Sequence, residues 1–241
     1  MVFCKYPSCE SRSGMLMRIY YIVLLGLGRV PCVKVSHARL GWICDKLAQR
    51  LGGIWVSKAR YHFIMAFRKG ESMGFNNLAS CYATGTLGFE KDLRRAVELY
   101  KMAVDRGCVG AMYNLGRCYN DGEGVVADKD EAAILFDRAS KGRFTHAHYW
   151  LGMMYLRGEG VRCDKRKAVK LFRRAAWSGM ANAQYDLAVC YRDGDDGRPR
   201  PYHAAFWIMM AALNGCRMAK HIVGRGELAD FLEYHEEGRN A

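Results

Sequence analysis

Apolar positions in this chain recur at helical spacing, interrupted by short glycine-containing turns. One such stripe has apolar residues at i, i+4, i+7 and i+8, which share one face of a helix: Ala111, Leu115, Cys118 and Tyr119. Gly122 and Gly124 follow it and predict a tight reversal. Asp128 then predicts an N-cap, and Glu131 completes the pattern of a capping box. The segment therefore predicts two helices joined by a turn.

The same pattern returns every 36 residues. Alanines keep this step in two columns of the second helices: Ala96, Ala132, Ala168 and Ala204, then Ala103, Ala139, Ala175 and Ala211. The first helices keep it at Leu115, Leu151 and Leu187, and at Tyr119, Tyr155 and Tyr191. Because self-similarity at a fixed period of this length is typical of solenoids, the chain is predicted to be an all-α stack of helix pairs.

Three places depart from the period. The first turn carries one extra residue between Thr84 and Gly88. The fourth turn, residues 193–201, contains two prolines and no capping aspartate, which predicts a remodelled loop suited to binding. The glycine that ends the other second helices comes one residue early at Gly142.

The full pattern is A-x-x-x-L-G-x-x-Y-x-x-G-x-G-V-x-x-D-x-x-x-A-x-x-[LW]-[YF]-x-x-A, and it is complete in Ala111–Ala139 and Ala147–Ala175. It closely resembles the Sel-1-like repeat family, a relative of the tetratricopeptide repeat. The resemblance covers residues 74–217 and implies a right-handed α/α superhelix of about five helix-turn-helix repeats. It divides the chain into a basic, partly apolar segment (1–35), a degenerate repeat (36–73), four repeats (74–217) and a C-terminal capping helix (218–241).

The resemblance also locates the binding positions. Repeat columns bury neighbouring units, so function is expected at variable positions of the first helices, which in this family line the concave side. The candidate groove residues are Asn77, Asn114, Arg117, Trp150, Met153 and Asp186. Trp150 is of the type that anchors a protein partner. The alternative is that it packs across the groove onto Asn114 or Asp186.

Charge separates the chain into two regions. The net charge is +13, yet residues 1–70 hold 12 basic and two acidic groups, so the remainder is nearly balanced. Basic clusters on the second helices are diluted by acids, which favours a solvated face over nucleic-acid binding. The apolar run at 19–27 is too short to span a bilayer. A packed N-terminal helix, an organelle transit segment or anchor, and a secretory signal all remain open for residues 1–35, so a membrane contact there is one alternative.

No residue pattern in the chain indicates catalysis. None of the ten cysteines forms a C-x-x-C pair. Cys81, Cys118 and Cys190 each precede a tyrosine and are predicted to be core residues, which points to a reducing compartment, the cytoplasm or the nucleus, of which the cytoplasm is the location predicted here. His146 and His148 diverge around a helix and do not predict a metal site. Neither a cofactor nor a small-molecule substrate is indicated.

The sequence therefore predicts a non-enzymatic adaptor or scaffold that binds a protein or peptide in a solenoid groove. The family resemblance implies roles in ubiquitin-linked protein turnover or signalling. One alternative is an organelle- or membrane-targeted assembly factor that uses the basic N-terminus. Another, from a faint similarity at Val35–Trp55, is an F-box-like ubiquitin-ligase substrate adaptor; nucleic-acid binding is the least favoured.

Overall fold

The computed structural model describes residues 36–51 and 53–233. This part of the chain contains twelve α-helices and no strand: α1 His37–Leu51, α2 Ile54–Arg68, α3 Ser72–Thr84, α4 Leu93–Asp105, α5 Val109–Asp121, α6 Lys129–Lys141, α7 Thr145–Arg157, α8 Lys165–Trp177, α9 Ala181–Asp193, α10 Pro201–Leu213, α11 Arg217–Gly224 and α12 Leu228–Glu233. Residues 37–51 and 53–233 belong to one compact unit. The predictions for residues 1–35 lie outside the described residues.

Consecutive helices pack as antiparallel pairs, and each pair packs on the next along the chain. From α3 onwards, odd-numbered helices are the first helices of the repeats and even-numbered helices up to α10 are the second helices. The buried alanines of the second helices let the paired helices approach closely, because they add almost no side-chain volume: Ala96, Ala103, Ala132, Ala139, Ala168, Ala175, Ala204 and Ala211. The predicted all-α solenoid of paired helices is thereby confirmed.

Glycine faces an aromatic ring inside the regular pairs. A Cβ added at Gly116 would lie 2.9 Å from the Phe136 ring, and one at Gly152 would lie 2.8 Å from Phe172. Both rings are fully buried. At Gly41, an added Cβ would overlap the ring of Phe63 in the α1–α2 pair. This shared contact is what a degenerate repeat over residues 36–73 would make, although the domain bounds stay a prediction.

Aspartates begin the second helices as the sequence predicts. The side chains of Asp92, Asp128 and Asp164 accept hydrogen bonds from backbone N–H groups three residues later, at 2.9–3.0 Å. The second hydrogen bond of the predicted capping box, from the Asp128 backbone N–H to the Glu131 side chain, does not form, however. The backbone N–H of Asp128 donates to the carbonyl of Tyr119 at 2.9 Å instead of to Glu131, because the chain folds back onto α5 there.

The second glycine of each regular turn allows one repeat to touch the previous one. A Cβ on Gly160 would overlap the backbone carbonyl of Lys129, at the start of α6. Gly160 also has φ of +65°, a conformation that strains other residues. The turn is therefore both a reversal within a repeat and a backbone contact between repeats.

The fourth turn is closed by ion pairs and by proline. Pro201 stands in the first turn of α10, where its fixed φ suits the helix and its missing N–H is not needed. Arg200 occupies the N-cap without a side-chain cap and pairs with Asp196 at 3.0 Å. Lys165 of α8 pairs with Asp195 at 2.7 Å, just as Lys129 pairs with Glu159 one repeat earlier. The loop is remodelled as predicted, but its charged groups are largely engaged within the chain.

The early glycine at the end of α6 has a steric cause. A Cβ on Gly142 would lie 2.7 Å from Val109, so this position needs glycine for close approach rather than for a left-handed turn. The left-handed residue is Arg143, with φ of +61°. The expectation that Gly142 plays the terminating part of Gly107 and Gly179 is therefore corrected.

The C-terminal region forms two short helices, α11 and α12, where one capping helix was expected. Phe231 of α12 is buried and belongs to the core of the last repeats. Residues 234–241 lie outside the described residues. Among the helices that are described, none combines the length and the apolar character needed to cross a membrane.

Candidate partner-binding groove

The predicted groove residues all lie on first helices. Asn77 is on α3, Asn114 and Arg117 on α5, Trp150 and Met153 on α7, and Asp186 on α9. Neighbouring first helices are linked directly. Asn114 Nδ2 donates to Asn76 Oδ1 at 2.9 Å, and the rings of Tyr113 and His146 lie 5.8 Å apart between α5 and α7. The first helices thus form one layer that presents these residues repeat by repeat.

Asn77 stands at the N-terminal end of this layer and lines a cavity. The cavity has a volume of about 440 Å³ and lies among α1, α2, α3 and the turn after α3. It mixes apolar side chains with polar groups: Trp42, Asp45, Val56, Phe63, Ser80 and Leu87 among them. The buried Nδ2 of Asn77 has no hydrogen-bond partner among the described residues. An unsatisfied buried donor of this kind is costly, so Asn77 carries unused hydrogen-bonding capacity beside this cavity.

Trp150 is partly buried and packs on the repeat before it. Its ring stacks on Phe136 of α6 with an interplanar angle of 17° and a centroid distance of 6.0 Å. Tyr149 lies edge-on to the same ring, with a centroid distance of 6.3 Å. Its aromatic support therefore comes from Phe136 and Tyr149, whereas the sequence suggested packing onto Asn114 or Asp186. Whether the remaining surface of Trp150 anchors a partner stays a prediction.

Asp186 is a half-buried acid in contact with the preceding first helix. Its carboxylate accepts a hydrogen bond from the Tyr149 hydroxyl. Burial raises the pKa of Asp186, while the Tyr149 hydrogen bond and Arg157 partly offset that increase. Burial also raises the pKa of Tyr149, and the nearby Asp186 charge adds to that increase. The pair joins α7 to α9 and places a carboxylate of weakened acidity on the layer.

The other two candidates differ in exposure. Arg117 is exposed on α5. Met153 is only partly exposed and packs against the core of the last repeats. Arg117 is thus accessible to solvent, Met153 only in part, and their roles in binding stay predictions.

Sequence reasoning missed three polar contacts. His37 and His62 lie with their Nδ1 atoms 3.0 Å apart, and the Glu71 carboxylate accepts from the backbone N–H groups of His37 and Ala38. Asn214 donates to Gln184 at 2.9 Å. Each contact joins residues that are 25 to 34 positions apart and that do not belong to the repeat columns. The 36-residue period therefore could not predict these contacts.

The buried cysteines in the described region are packing residues rather than reactive or metal-binding groups. All seven cysteines in the described region are free thiols, and only Cys163 is exposed. Burial raises the pKa of Cys81 and Cys118 to about 11 and raises that of Cys190 further. Such thiols stay protonated and behave as small core residues. Within residues 36–51 and 53–233, no group of three or more His, Cys, Asp or Glu side chains is placed to hold a metal ion.

Two curated proteins are similar in sequence to part of the chain. Chitin synthase regulatory factor 2 from Schizosaccharomyces pombe is 31% identical over 126 residues, which is 48% of this chain and 25% of that protein. The ERAD-associated E3 ubiquitin-protein ligase component HRD3B from Arabidopsis thaliana is 33% identical over 116 residues, 44% of this chain and 19% of that protein. The chain thus spans a quarter or less of the length of either relative.

A solved structure and a family model cover more of the chain. A Sel1 repeat protein from Oxalobacter formigenes superposes with a TM-score of 0.71 at 25% identity, covering 89% of this chain and 88% of that one. The Sel1 repeat model matches residues 76–108, 109–143, 145–179 and 181–216, more than half of the chain. Proteins built from these repeats are scaffolds for protein interaction, and their fold is non-catalytic. The chain belongs to the Sel1 repeat family.

Proposed function

We propose that this protein is a non-enzymatic adaptor that binds a peptide or protein segment along the layer of first helices. The observation that carries the proposal is the run of candidate residues on that layer, which begins at Asn77, whose amide nitrogen has no partner among the described residues. Such a donor would take a backbone carbonyl of the partner. Trp150, held against Phe136, would supply an apolar anchor farther along the layer.

The charge of the layer favours a partner with mixed polarity. Arg117 offers an exposed cation, while Asp186 offers a carboxylate already bonded to Tyr149. The cavity at Asn77 adds a recess of about 440 Å³ whose lining is both apolar and polar, as Trp42 and Asp45 illustrate. These features fit an extended peptide better than a small molecule, because they are distributed over successive repeats rather than gathered in one enclosed pocket.

A pull-down with paired variants tests the groove. Immobilised full-length protein is compared with the double variant Trp150→Ala and Arg117→Ala, and bound proteins are identified by mass spectrometry. We expect the double variant to lose a specific subset of partners. Trp150→Phe serves as a milder variant, since it keeps an aromatic ring against Phe136.

The matched control changes the opposite layer. Ile134→Ala with Arg138→Ala alters one exposed apolar and one exposed cationic residue on α6. The control should keep every partner of the unmodified protein. Identical partners for the groove variant and the unmodified protein would reject groove binding.

For the process and place of action we propose complex assembly in ubiquitin-linked protein turnover or signalling, within the cytoplasm. The supports are the similarity to an ERAD-associated ubiquitin-ligase component and the buried, protonated cysteines, which suit a reducing compartment. Delivery to an organelle or membrane by the basic N-terminal region is the alternative, favoured by the charge concentrated in residues 1–70. Imaging of residues 1–70 fused to a fluorescent reporter separates the two hypotheses, because a diffuse signal would reject a targeting role for this segment.

A further inference from the structure

The exposed stripes of the second helices change character along the chain. The outer stripe is defined here as four positions of each second helix that recur at the 36-residue period. It consists of Arg94, Glu98, Lys101 and Asp105 on α4; Asp130, Ile134, Asp137 and Lys141 on α6; Arg166, Lys170, Arg173 and Trp177 on α8; and Tyr202, Phe206, Met209 and Leu213 on α10. It is mixed in charge on α4 and α6, basic on α8, and apolar on α10.

The apolar stripe of α10 is a true helix face. Its residues are spaced i, i+4, i+7 and i+11 and stay within a narrow arc over about 16 Å. Their exposed fractions are 89% for Tyr202, 49% for Phe206, 52% for Met209 and 79% for Leu213. The core contacts of α10 come from the opposite face, which carries Ala204, Trp207, Ile208 and Ala211. The fold therefore does not require the apolar outer stripe.

A basic stripe lies on α8, the preceding second helix of the solenoid. Trp177 of α8 is 71% exposed and contacts Trp207 of α10 edge-on, with ring centroids 5.2 Å apart, so the two helices adjoin. α8 contains six Lys or Arg residues, and α8, α10 and α11 contain no Asp or Glu. The acids in the turn before α10 are engaged, Asp195 by Lys165 and Asp196 by Arg200. This face therefore combines exposed apolar groups with unbalanced positive charge.

We propose that the outer stripes of α8 and α10 form a docking face for an anionic membrane surface. Exposed aromatic and aliphatic side chains enter the headgroup and acyl boundary, while Lys and Arg beside them attract anionic headgroups. Tyr202 and Trp177 have the amphipathic rings that favour this interface. The helices would lie on the bilayer, in agreement with the lack of any membrane-spanning helix among the described residues.

Other occupants fit this face less well. In a symmetric dimer through α10, the basic stripe of each copy would adjoin that of the other and repel it. A protein partner would need a socket for side chains that protrude from a helix, together with acids for Lys170 and Arg173. A fluid anionic bilayer meets both requirements without a preformed shape. Docking here would leave the layer of first helices, on the other side of the helix pairs, free for a partner.

Vesicle co-sedimentation of the full chain tests the proposal. The probes are vesicles of phosphatidylcholine alone and of phosphatidylcholine with an equal part of phosphatidylserine. We expect binding to the anionic vesicles only, and weaker binding at high salt. Phe206→Ser with Leu213→Ser should lower the partition coefficient at least about tenfold, because the variant lacks two apolar side chains that docking would bury in the membrane. Lys170→Gln with Arg173→Gln should lower it by about fivefold for each cation.

The matched control uses the same columns two repeats earlier. Ile134→Ser with Lys141→Ser changes the positions on α6 that correspond to Phe206 and Leu213, and it should leave the partition coefficient unchanged. Melting curves confirm that each variant is folded, which is expected because the substituted side chains are exposed.

Several results would overturn the proposal. Absence of binding to the anionic vesicles would do so, as would equal binding by the Phe206→Ser and Leu213→Ser variant, which would assign the lipid contact to another region such as the basic N-terminus. A dimer in gel filtration that this variant converts to a monomer would identify a second copy as the occupant. Capture of a protein by α10 in the absence of vesicle binding would identify a protein partner instead.

Discussion

The third and fourth repeats share a core but differ in the turn, in the cap of the second helix and in the outer stripe. In both, the leucine of the first helix, Leu151 or Leu187, and the alanines of the second helix are buried. Both turns keep a left-handed first glycine, Gly158 or Gly194, but the fourth has Asp196 in place of the second glycine and Arg200 with Pro201 in place of the aspartate cap. The difference shows that the helix pair needs the core columns, while turn chemistry and outer stripes can change from repeat to repeat.

The largest expected effect tests what the two repeats share. Leu151→Ala and Leu187→Ala should each lower the free energy of unfolding by about 2–5 kcal/mol, because both remove a buried side chain and leave a cavity. Urea denaturation followed by circular dichroism measures the change. Leu213→Ala, at the exposed end of α10, is the control and should change it by less than about 0.5 kcal/mol. An unchanged stability for Leu151→Ala would mean that the repeat register is wrong.

The turns should respond differently in the two repeats. Gly160→Ala should cost about 2–4 kcal/mol, from a strained left-handed residue and from overlap with the Lys129 carbonyl. Asp196→Ala, at the corresponding position of the fourth turn, should cost less than about 1 kcal/mol, since it removes only the pair with Arg200. Thermal melting of both variants measures this contrast, and equal losses would contradict the different roles assigned to the two turns.

A smaller contrast concerns the helix caps. Asp128→Ala should cost about 1 kcal/mol because the N–H of Glu131 loses its acceptor, and Asp128→Asn should restore most of it. Arg200→Ala in the fourth repeat removes an ion pair but no side-chain cap, so it should lower the free energy of unfolding by less than Asp128→Ala does. That loss should become smaller with added salt, because salt screens the pair with Asp196. Urea denaturation at low and high salt checks both, and a salt-independent loss for Arg200→Ala would argue against the ion pair.

The smallest expected effect is the pH response of the fourth repeat. Burial raises the pKa of Asp186 in the folded state, so its contribution to stability is fully present below the ordinary value of 3.8 and is lost as pH rises through the folded pKa. Asp186→Asn should therefore be more stable relative to the unmodified protein at pH 7 than at pH 3.

Unfolding of both proteins across that range measures the difference. Tyr149→Phe, which removes the hydrogen bond that lowers the pKa of Asp186, should steepen the pH dependence of the unmodified carboxylate. A difference between Asp186→Asn and the unmodified protein that grows toward low pH would contradict the raised pKa.

Most of the fold could be predicted because it depends on regular spacing. Leu115, Gly122 and Asp128 each recur with the period, so their roles in core, turn and cap follow from one repeat. The groove residues could be placed on first helices for the same reason. Their partners could not be predicted, because the stacking of Trp150 on Phe136 and the hydrogen bond from Tyr149 to Asp186 depend on how successive helices pack.

The sequence by itself determined the helix pairs, their 36-residue period and the membership of the repeat family, since these follow from local periodicity and from residues with strong backbone preferences. Only the tertiary structure decided that Arg143 takes the left-handed position, that the amide nitrogen of Asn77 has no partner among the described residues, and that Trp177 of α8 contacts Trp207 of α10. Each of these depends on close approach between residues far apart in sequence, and the spacing of residues along the chain does not encode such distances.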